Sequence, residues 1–305
     1  MAATTRNIVA YEGDYEIVGD GSVSLSNNSS FLEVRMFDVG AGEAILIIFP
    51  SSTAWLIDGG STNGKIKNQE TGEMLAQYLN DENLILTRII ASHPHKDHVG
   101  AVEYMLGEQP KLGSKLRYYF TDDPPGKSAT KEWIRNLNSK LDGNNVERID
   151  LTGRNEMITL PKGHAFLFAG KGEKEYTSIF MHLRYNDATF IFTGDVGRFK
   201  YEYELLDTYN ENYFRSDVLK ITHHGSTSGT SGRFVRSVKP GIAIASTADD
   251  DGHELEQEVR NRLAYKNRCK IFETLRRGNI TMQSEGKKVQ RNGKVGVLYN
   301  VTTDK

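Results

Sequence analysis

Short apolar runs alternate with amphipathic stretches along this chain, and together the two patterns predict a mixed α/β protein. Apolar runs of about four to eight residues between turn residues are typical of buried strands, whereas apolar residues spaced three and four apart predict helices. The strands are predicted at 32–37, 44–49, 54–57, 84–91, 179–185, 188–193, 218–221 and 242–245. The helices are predicted at 69–79, 102–106, 128–141, 199–206, around 233–239 and around 255–263.

Both halves of the chain are rich in strands that are followed by helices, and no fixed-period repeat is visible. Because a sheet must cover its apolar face with another layer, we expect an α/β fold with two sheets face to face and helices outside, a four-layer αββα sandwich. The first thirty residues contain a weak hairpin that ends in a Ser/Asn-rich string at 22–30. We therefore expect an N-terminal extension over 1–30 and one large domain over 31–305.

One hairpin allows its register to be read from the sequence. If Asn186-Asp187 forms the two-residue turn, Tyr185 pairs with Ala188 and Ser178 lies opposite Asp195. His182 then lies four residues from Asp195, about 13 Å along the strand at roughly 3.3 Å per residue. We interpret His182, like the isolated His164, as an ordinary hydrogen-bonded or surface histidine.

Charge and cysteine content limit the class of protein. The 305 residues carry 38 Lys plus Arg against 40 Asp plus Glu, a formal net charge of -2, so a polyanionic substrate would have to be held locally. The one cysteine, Cys269, cannot form an intrachain disulfide.

The first 21 residues lack the apolar core of a secretory signal, and the longest apolar run, 44–49, is too short to span a bilayer. We expect a cytoplasmic protein that does not enter the membrane.

Four potential metal ligands fall within six residues, and packing does not explain such a cluster: His93, His95, Asp97 and His98. His93 and His95 follow an apolar run, so in extended backbone their imidazoles leave the same face, and Pro94 fixes its own φ and restricts His93 towards that geometry. Asp97 and His98 lie where a helix is predicted to begin. The segment indicates a metal site at a strand-to-helix corner.

Two further segments repeat this placement at strand ends. Asp195 closes the strand of the hairpin in Thr193-Gly194-Asp195, where a helix N-cap is the plain alternative. His223 and His224 follow the strand 218–221. Adjacent residues of an extended chain point to opposite faces, so one metal centre should take only one of the two histidines and leave the other for substrate or proton transfer.

In this order the motifs resemble the metallo-β-lactamase superfamily, and more narrowly the hydrolase domain of ComEC-type DNA-uptake proteins. The motifs are Asp58-Gly59-Gly60, His-x-His-x-Asp-His at 93–98, Thr-Gly-Asp at 193–195 and His-His-Gly-Ser at 223–226. Residues 37–44 match the Asp-Val-Gly-x-Gly-Asp-Ala opening of the ComEC group with Glu43 in place of Asp. Gly252-His253-Glu254 resembles its Gly-His-Pro segment, with Glu254 in place of Pro.

The resemblance implies one or two divalent ions, zinc or manganese, and a set of ligands. It places His93 and His95 on one ion, Asp97, His98 and His224 on the other, and Asp195 between them. Asp58, with Asp38 of the opening motif, would orient ligand imidazoles from behind. One departure is that residues 174–178 lack the histidine that many superfamily members have before the Thr-Gly-Asp strand, which puts a second ion in doubt.

The function implied is a metal-dependent phosphodiesterase or nuclease acting on DNA or RNA through a metal-activated water. Asp97 and Asp195 would be catalytic residues as well as metal ligands. His223 or His253 would hold the phosphate in place or protonate the leaving oxygen. Ser226 and Ser178 would contact substrate. Arg233, Arg236 and Lys239 either add local positive charge or solvate a helix face. The alternatives are a hydrolase of small phosphoesters of the phosphorylcholine type, β-lactam or thioester hydrolysis, and a non-catalytic, metal-stabilised binding module. Protein partners and the oligomeric state are not predicted.

Overall fold

The structure of the protein is a computed structural model that describes residues 3–20, 30–61, 68–121, 132–169, 178–196, 199–249, 253–264 and 268–305. The predicted loop at 22–29, the first residues of the predicted helix at 128–141, the side chain of Trp133 and most of segment 174–178 lie outside the described residues, as does Gly252.

The described strands cover most of the predicted ones to within one or two residues. The strands are Thr4–Tyr11 (β1), Asp14–Asp20 (β2), Leu32–Met36 (β3), Ile45–Ile48 (β4), Thr53–Ile57 (β5), Ile85–Ile90 (β6), Leu112–Phe120 (β7), Glu147–Asp150 (β8), Asn155–Leu160 (β9), Gly163–Ala169 (β10), Ile179–Tyr185 (β11), Ala188–Phe192 (β12), Val218–Lys220 (β13), Ile242–Ala245 (β14), Lys270–Glu273 (β15), Ile280–Ser284 (β16), Lys288–Arg291 (β17) and Lys294–Thr303 (β18). The helices are Asn68–Asp81 (α1), Lys96–Val99 (α2), Val102–Gly107 (α3), Glu132–Gly143 (α4), Phe199–Tyr209 (α5), Gly232–Val238 (α6), Gln257–Ala264 (α7) and Thr274–Arg277 (α8).

These strands form two sheets. The first has the order β2-β1-β18-β16-β3-β4-β5-β6-β7-β8, with β17 beside β18, and its strands β5 to β8 run parallel. The second has the order β15-β14-β13-β12-β11-β10-β9, and its strands β12 to β15 run parallel. Because parallel strands end at the same edge, each sheet gathers the residues that follow its strands at one edge.

The layers follow from the alternation of side chains along each strand. In β4, Ile45 and Ile47 face the core between the two sheets, whereas Leu46 faces the helices that cover the first sheet. Leu75 of α1 packs in that outer core, and Phe234 of α6 packs in the corresponding core outside the second sheet. The predicted αββα sandwich is confirmed.

The register predicted for the hairpin is also confirmed. Tyr185 pairs with Ala188 and His182 pairs with Ile191, which keeps His182 well away from the end of β12. The sequence analysis did not predict β7 to β10. In β8 and β9 most residues are half or fully exposed, so these edge strands carry no sustained apolar run to reveal them.

The hairpin expected within the first thirty residues is present as β1 and β2, and it extends the first sheet. β1 pairs with β18 from Thr4 to Ala10, and Ile8 and Ala10 are fully buried in the core between the sheets. The division of the chain at residue 30 stays a prediction. Among the described helices, none combines the length and the apolar character needed to cross a bilayer.

Candidate metal centre

Four strand ends converge at one edge of the sandwich. Asp58 follows β5 and Ser92 follows β6 in the first sheet, while Asp195 follows β12 and His224 follows β13 in the second. The short helix α2, which carries Asp97 and His98, begins directly after this edge, as predicted. The predicted site residues therefore come together from both sheets although they are far apart in the sequence.

A cluster of four side chains forms the centre of this edge. One ligand atom from each of Asp97, His98, Asp195 and His224 lies within 4.8 Å of the others. Asp195 is the hub, because its Oδ2 lies 3.0 Å from His98 Nε2 and 3.5 Å from His224 Nε2. Asp97 Oδ2 lies 3.6 Å from His98 Nε2 and 3.8 Å from His224 Nε2.

Asp58 holds His98 from behind. Its Oδ2 lies 2.8 Å from His98 Nδ1, and its Oδ1 accepts the Ser92 N–H at 2.7 Å. Both Asp58 and His98 are fully buried. A carboxylate on Nδ1 leaves Nε2, the nitrogen that faces Asp195, free of a proton for a metal ion, which is the role expected of Asp58.

His93 and His95 lie next to this cluster. The ring centroids of His93 and His98 are 4.1 Å apart, and those of His93 and His95 are 4.5 Å apart. His93 is buried and its Nε2 has no hydrogen-bond partner among the residues that the structure describes, while His95 is exposed at the start of α2. Within the described part of the chain, neither belongs to a set of three ligand atoms as compact as the four-residue cluster. Their predicted role on a separate ion stays a prediction.

The His223-His224 pair adopts a conformation that the sequence analysis did not foresee. β13 ends at Lys220, and both histidines have positive φ, 51° and 53°, within a tight turn rather than in extended backbone. The expectation of opposite faces in a strand was therefore wrong in its geometry. The two side chains still have separate environments, since His224 is buried in the cluster and His223 keeps 37% of its side-chain surface exposed.

Each imidazole of the pair has a partner that sets its orientation. His224 Nδ1 lies 3.2 Å from the Ser246 carbonyl oxygen, which directs Nε2 at Asp195. His223 Nδ1 lies 3.1 Å from Ser228 Oγ, and its Nε2 lies 3.9 Å from Asp195 Oδ2. The ring of His253 lies 4.9 Å from that of His224, at the rim of the same cluster.

The two predicted substrate-binding serines differ in accessibility. Ser178 is buried, and its Oγ accepts the Asp195 N–H at 3.0 Å, so in the structure it supports the hub of the cluster. Ser226 is half-buried, and its Oγ lies 3.1 Å from Ser228 Oγ, the hydroxyl that also contacts His223. Of the two, Ser226 has the position that a substrate could reach.

Asp38 makes a different contact from the expected one. One of its carboxylate oxygens lies 3.2 Å from Lys305 Nζ, and its backbone N–H donates to Asn279 Oδ1 at 2.8 Å. Among the described residues, no hydrogen bond or ion pair of Asp38 reaches an imidazole of the cluster. The expectation that it orients a ligand is corrected, because β16 and the C-terminal residues pack against the opening motif and engage this carboxylate.

The chemistry of the cluster fits a divalent cation. Imidazole nitrogen atoms and carboxylate oxygen atoms crowd together, and among the described residues His93 Nε2, His224 Nε2 and Asp195 Oδ1 are buried without a hydrogen-bond partner. Burial opposes the charge on each group, yet the carboxylates raise the pKa of His224 to about 9, and the imidazoles lower the pKa of Asp195 well below its usual range. Carboxylates that stabilise positive charge at this position would equally stabilise a divalent cation held by imidazole and carboxylate.

Comparison with known proteins agrees with this geometry. A family model described as the metallo-beta-lactamase superfamily matches residues 38–157, which include the 93–98 motif. This match covers less than half of the chain, and over these residues the chain is similar to the metallo-β-lactamase superfamily. The resemblance seen in the sequence motifs is confirmed, including its narrower form.

Two curated relatives of this metallo-β-lactamase domain are bacterial proteins. It is 22% identical over 267 residues to ComE operon protein 3 of Bacillus subtilis, an alignment that covers 83% of this chain and 33% of that protein. It is 24% identical over 233 residues to Recombination protein 2 of Haemophilus influenzae, covering 70% of this chain and 24% of that protein. The chain thus spans about a third and about a quarter of the lengths of these relatives.

A solved structure shows the same fold. The metallo-beta-lactamase fold protein YhfI from Bacillus subtilis superposes with a TM-score of 0.51 at 13% sequence identity, over 88% of this chain and 99% of that one. At this identity the likeness establishes the architecture of the metallo-β-lactamase domain.

Sequence reasoning missed two charged residues behind the cluster. Glu43 and Lys220 are fully buried and form an ion pair, and Glu43 also belongs to a second group of potential ligands with Asp58 and His98. One signal was available: Lys220 interrupts an apolar strand, and a buried lysine needs a carboxylate. The sequence could not show which carboxylate that is.

Proposed function

We propose that the protein is a metal-dependent hydrolase that cleaves phosphodiester bonds in DNA or RNA. The observation that carries the proposal is the cluster of Asp97, His98, Asp195 and His224, in which ligand atoms from both sheets lie within 4.8 Å and point at one another. Buried groups of this kind are costly unless a partner satisfies them, so an arrangement without function is hard to maintain.

Asp97, His98 and His224 would hold one ion, His93 and His95 would hold a second, and Asp195 would be shared between them. The chemistry supplied by a bound divalent cation is a lowered pKa of water and withdrawal of charge from a phosphoryl oxygen. Asp58 would keep His98 oriented throughout, through the 2.8 Å contact with its Nδ1. The choice between zinc and manganese is a matter for experiment.

His223 is suited to proton transfer at the leaving oxygen. It is half-buried, its Nε2 is 3.9 Å from Asp195 Oδ2, and Ser228 fixes its ring through Nδ1. A histidine that reaches both the cluster and solvent can hold a proton at Nε2 and pass it to a departing alkoxide. His253 lies beside His224 and would help to place the phosphate.

The cluster has accessible neighbours, one of which is positively charged. His95 and Lys96 are exposed, and His223 keeps 37% of its side-chain surface exposed. Arg233 is engaged with Asp207 and Glu211 on the surface, which favours the interpretation that the α6 cations solvate a helix face.

The name of one relative and the motif resemblance also support a nucleic-acid substrate. The name of Recombination protein 2 refers to recombination, and the sequence motifs resemble those of ComEC-type DNA-uptake proteins. We carry this over to the present chain as a proposal on substrate class.

The test is cleavage by purified protein supplied with Mn²⁺ or Zn²⁺. The substrates are a bis-aryl phosphodiester, single-stranded and double-stranded DNA, RNA and a phosphorylcholine ester. We expect cleavage of the diester and of at least one nucleic acid, and its loss in Asp195→Ala and in His95→Ala, while His164→Ala, a histidine outside the cluster, retains activity.

Other outcomes separate the alternatives. Cleavage of the phosphorylcholine ester but not of nucleic acid would replace the nuclease proposal with a small-ester hydrolase. Full activity in both Asp195→Ala and His95→Ala would refute the mechanism. Folding without metal combined with no turnover of any substrate would support the binding-module alternative.

A further inference from the structure

Lys220 is a buried cation directly behind the proposed metal centre. It is the last residue of β13, and its side chain has no exposed surface. Its Nζ contacts the Glu43 carboxylate, lies 3.4 Å from the Gly194 carbonyl oxygen and lies 3.9 Å from Asp195 Oδ1. A fully buried ammonium group is unfavourable unless interactions with its surroundings compensate for the loss of hydration. The contacts of the Lys220 ammonium group are therefore required for its burial.

Glu43 anchors this cation to the opposite sheet. Its carboxylate comes from the loop between β3 and β4, so the ion pair joins the two sheets behind the cluster. The Glu43 backbone is fixed as well, because its N–H donates to the Asp97 carbonyl at 3.0 Å and its carbonyl accepts the Gly60 N–H at 3.1 Å. Lys220 therefore has a rigidly placed partner.

The two oxygen atoms of Asp195 face different surroundings. Oδ2 lies near His98 and His224, as the hub of the cluster. Oδ1 is buried without a hydrogen bond among the described residues, and the charged group that faces it is Lys220 Nζ at 3.9 Å. The attraction of Oδ1 to this ammonium group sets the plane of the carboxylate.

We propose that Lys220, held by Glu43, is a positioning residue that orients Asp195 for metal binding. The inference rests on the proposed metal centre and deepens it. Lys220 does not touch substrate; it acts through Asp195, as groups behind metal ligands do elsewhere. Because the ion pair as a whole is neutral, orientation rather than net charge is the effect that it exerts on the centre.

A simpler role for Lys220 would be to neutralise Glu43, and variants of defined charge separate the two. In the double variant Glu43→Met/Lys220→Met, the net charge is unchanged and the volume is similar, so a purely neutralising pair can be removed without loss of metal affinity. In Lys220→Arg, the charge stays but the donor geometry changes, and neutralisation again predicts no change in affinity.

The experiment is calorimetric titration of the chelator-treated full chain with Mn²⁺, in the absence of substrate. We expect the double variant to fold and to bind Mn²⁺ about 10- to 100-fold more weakly than the wild type, the range typical of changes behind metal ligands. Lys220→Arg should also bind more weakly. Removal of another ion pair with a buried carboxylate, Arg260→Met/Glu273→Met, which contributes no atom to the ligand cluster, is the matched control that should alter stability but not affinity.

The outcomes are distinct. Wild-type affinity in the double variant would overturn the positioning role, and if that variant does not fold, wild-type affinity in Lys220→Arg would do the same. Absence of Mn²⁺ and Zn²⁺ binding in the wild type would instead refute the metal centre, and the inference with it. Because binding is measured without substrate, failure to cleave nucleic acid leaves this test intact.

Discussion

Asp58 offers the sharpest test of the centre, because a single atom of its side chain can be changed without altering its shape. In Asp58→Asn the side-chain oxygen can still accept the Ser92 N–H, which Asp58 Oδ1 accepts at 2.7 Å. In the wild type, Asp58 Oδ2 lies 2.8 Å from His98 Nδ1. In the variant, an NH₂ group replaces Oδ2 and faces the same nitrogen. Two donors cannot share that contact, so the His98 proton must move to Nε2, the nitrogen needed for metal binding. The backbone of Asp58, with φ of 56°, suits asparagine.

The expected loss of metal affinity follows from the loss that is typical when a group behind a metal ligand is changed. We expect the affinity for Mn²⁺ or Zn²⁺ to fall about 10- to 100-fold, roughly 1.4 to 2.7 kcal/mol. Calorimetric titration measures this directly, and excess metal should restore most of the cleavage activity. Asp38→Asn is the matched control, since Asp38 was expected in the same role but contacts Lys305, and its affinity should be unchanged. Equal affinity of Asp58→Asn and the wild type would refute the proposed orientation of His98.

Three further predictions concern one residue beside the centre and two elsewhere in the fold. Gly60→Ala should abolish metal binding or folding, because its Cβ would lie 2.4 Å from the Asp97 carbonyl carbon, and circular dichroism with metal titration checks this; a folded variant with normal affinity would contradict it. Ile8→Ala, at a fully buried position of β1, should lower the free energy of unfolding by about 2 to 5 kcal/mol in urea titrations, and a loss below about 0.5 kcal/mol would show that the N-terminal hairpin contributes little to the domain. Burial, with a contribution from neighbouring His164, lowers the pKa of His182 to about 4. Because the unfolded chain takes up this proton near pH 6.5, the stability that neutral His182 contributes is present above that pH and is lost as the pH falls towards 4, by at most about 3 kcal/mol. The Tm of His182→Leu should therefore fall less than the wild-type Tm between pH 7 and pH 4.5, and an equal fall would contradict the assignment.

The local sequence pattern was sufficient to predict those elements whose neighbours in space are also neighbours in sequence. The hairpin of β11 and β12 has the expected register because a two-residue turn fixes the pairing of every residue that follows. The buried strand 242–245 was predicted with its observed limits, since a short apolar run between turn residues permits few alternatives. The 93–98 motif lies at its strand-to-helix corner for the same reason: its geometry depends on the few residues around Pro94.

Long-range packing determined side-chain contacts that could not be predicted from the sequence. Pairing of β3 with β16 brings Asn279 and Lys305 to Asp38 and removes that carboxylate from the predicted role. The left-handed turn at 223–224 has partners from other elements: the Gly194 carbonyl accepts the His223 N–H at 3.2 Å, and the Ser246 carbonyl oxygen lies 3.2 Å from His224 Nδ1.

The sequence by itself determined the αββα class and most of the residues that meet at the centre, because strand-end motifs at the carboxyl ends of parallel strands must gather at one edge. The tertiary structure alone decided which side chains face one another there. It placed Lys220 against Glu43, made Asp195 the hub and separated the environments of His223 and His224. The contact of Asp195 with His98 joins residues 97 positions apart in the sequence, and its geometry exists only once the two sheets have packed.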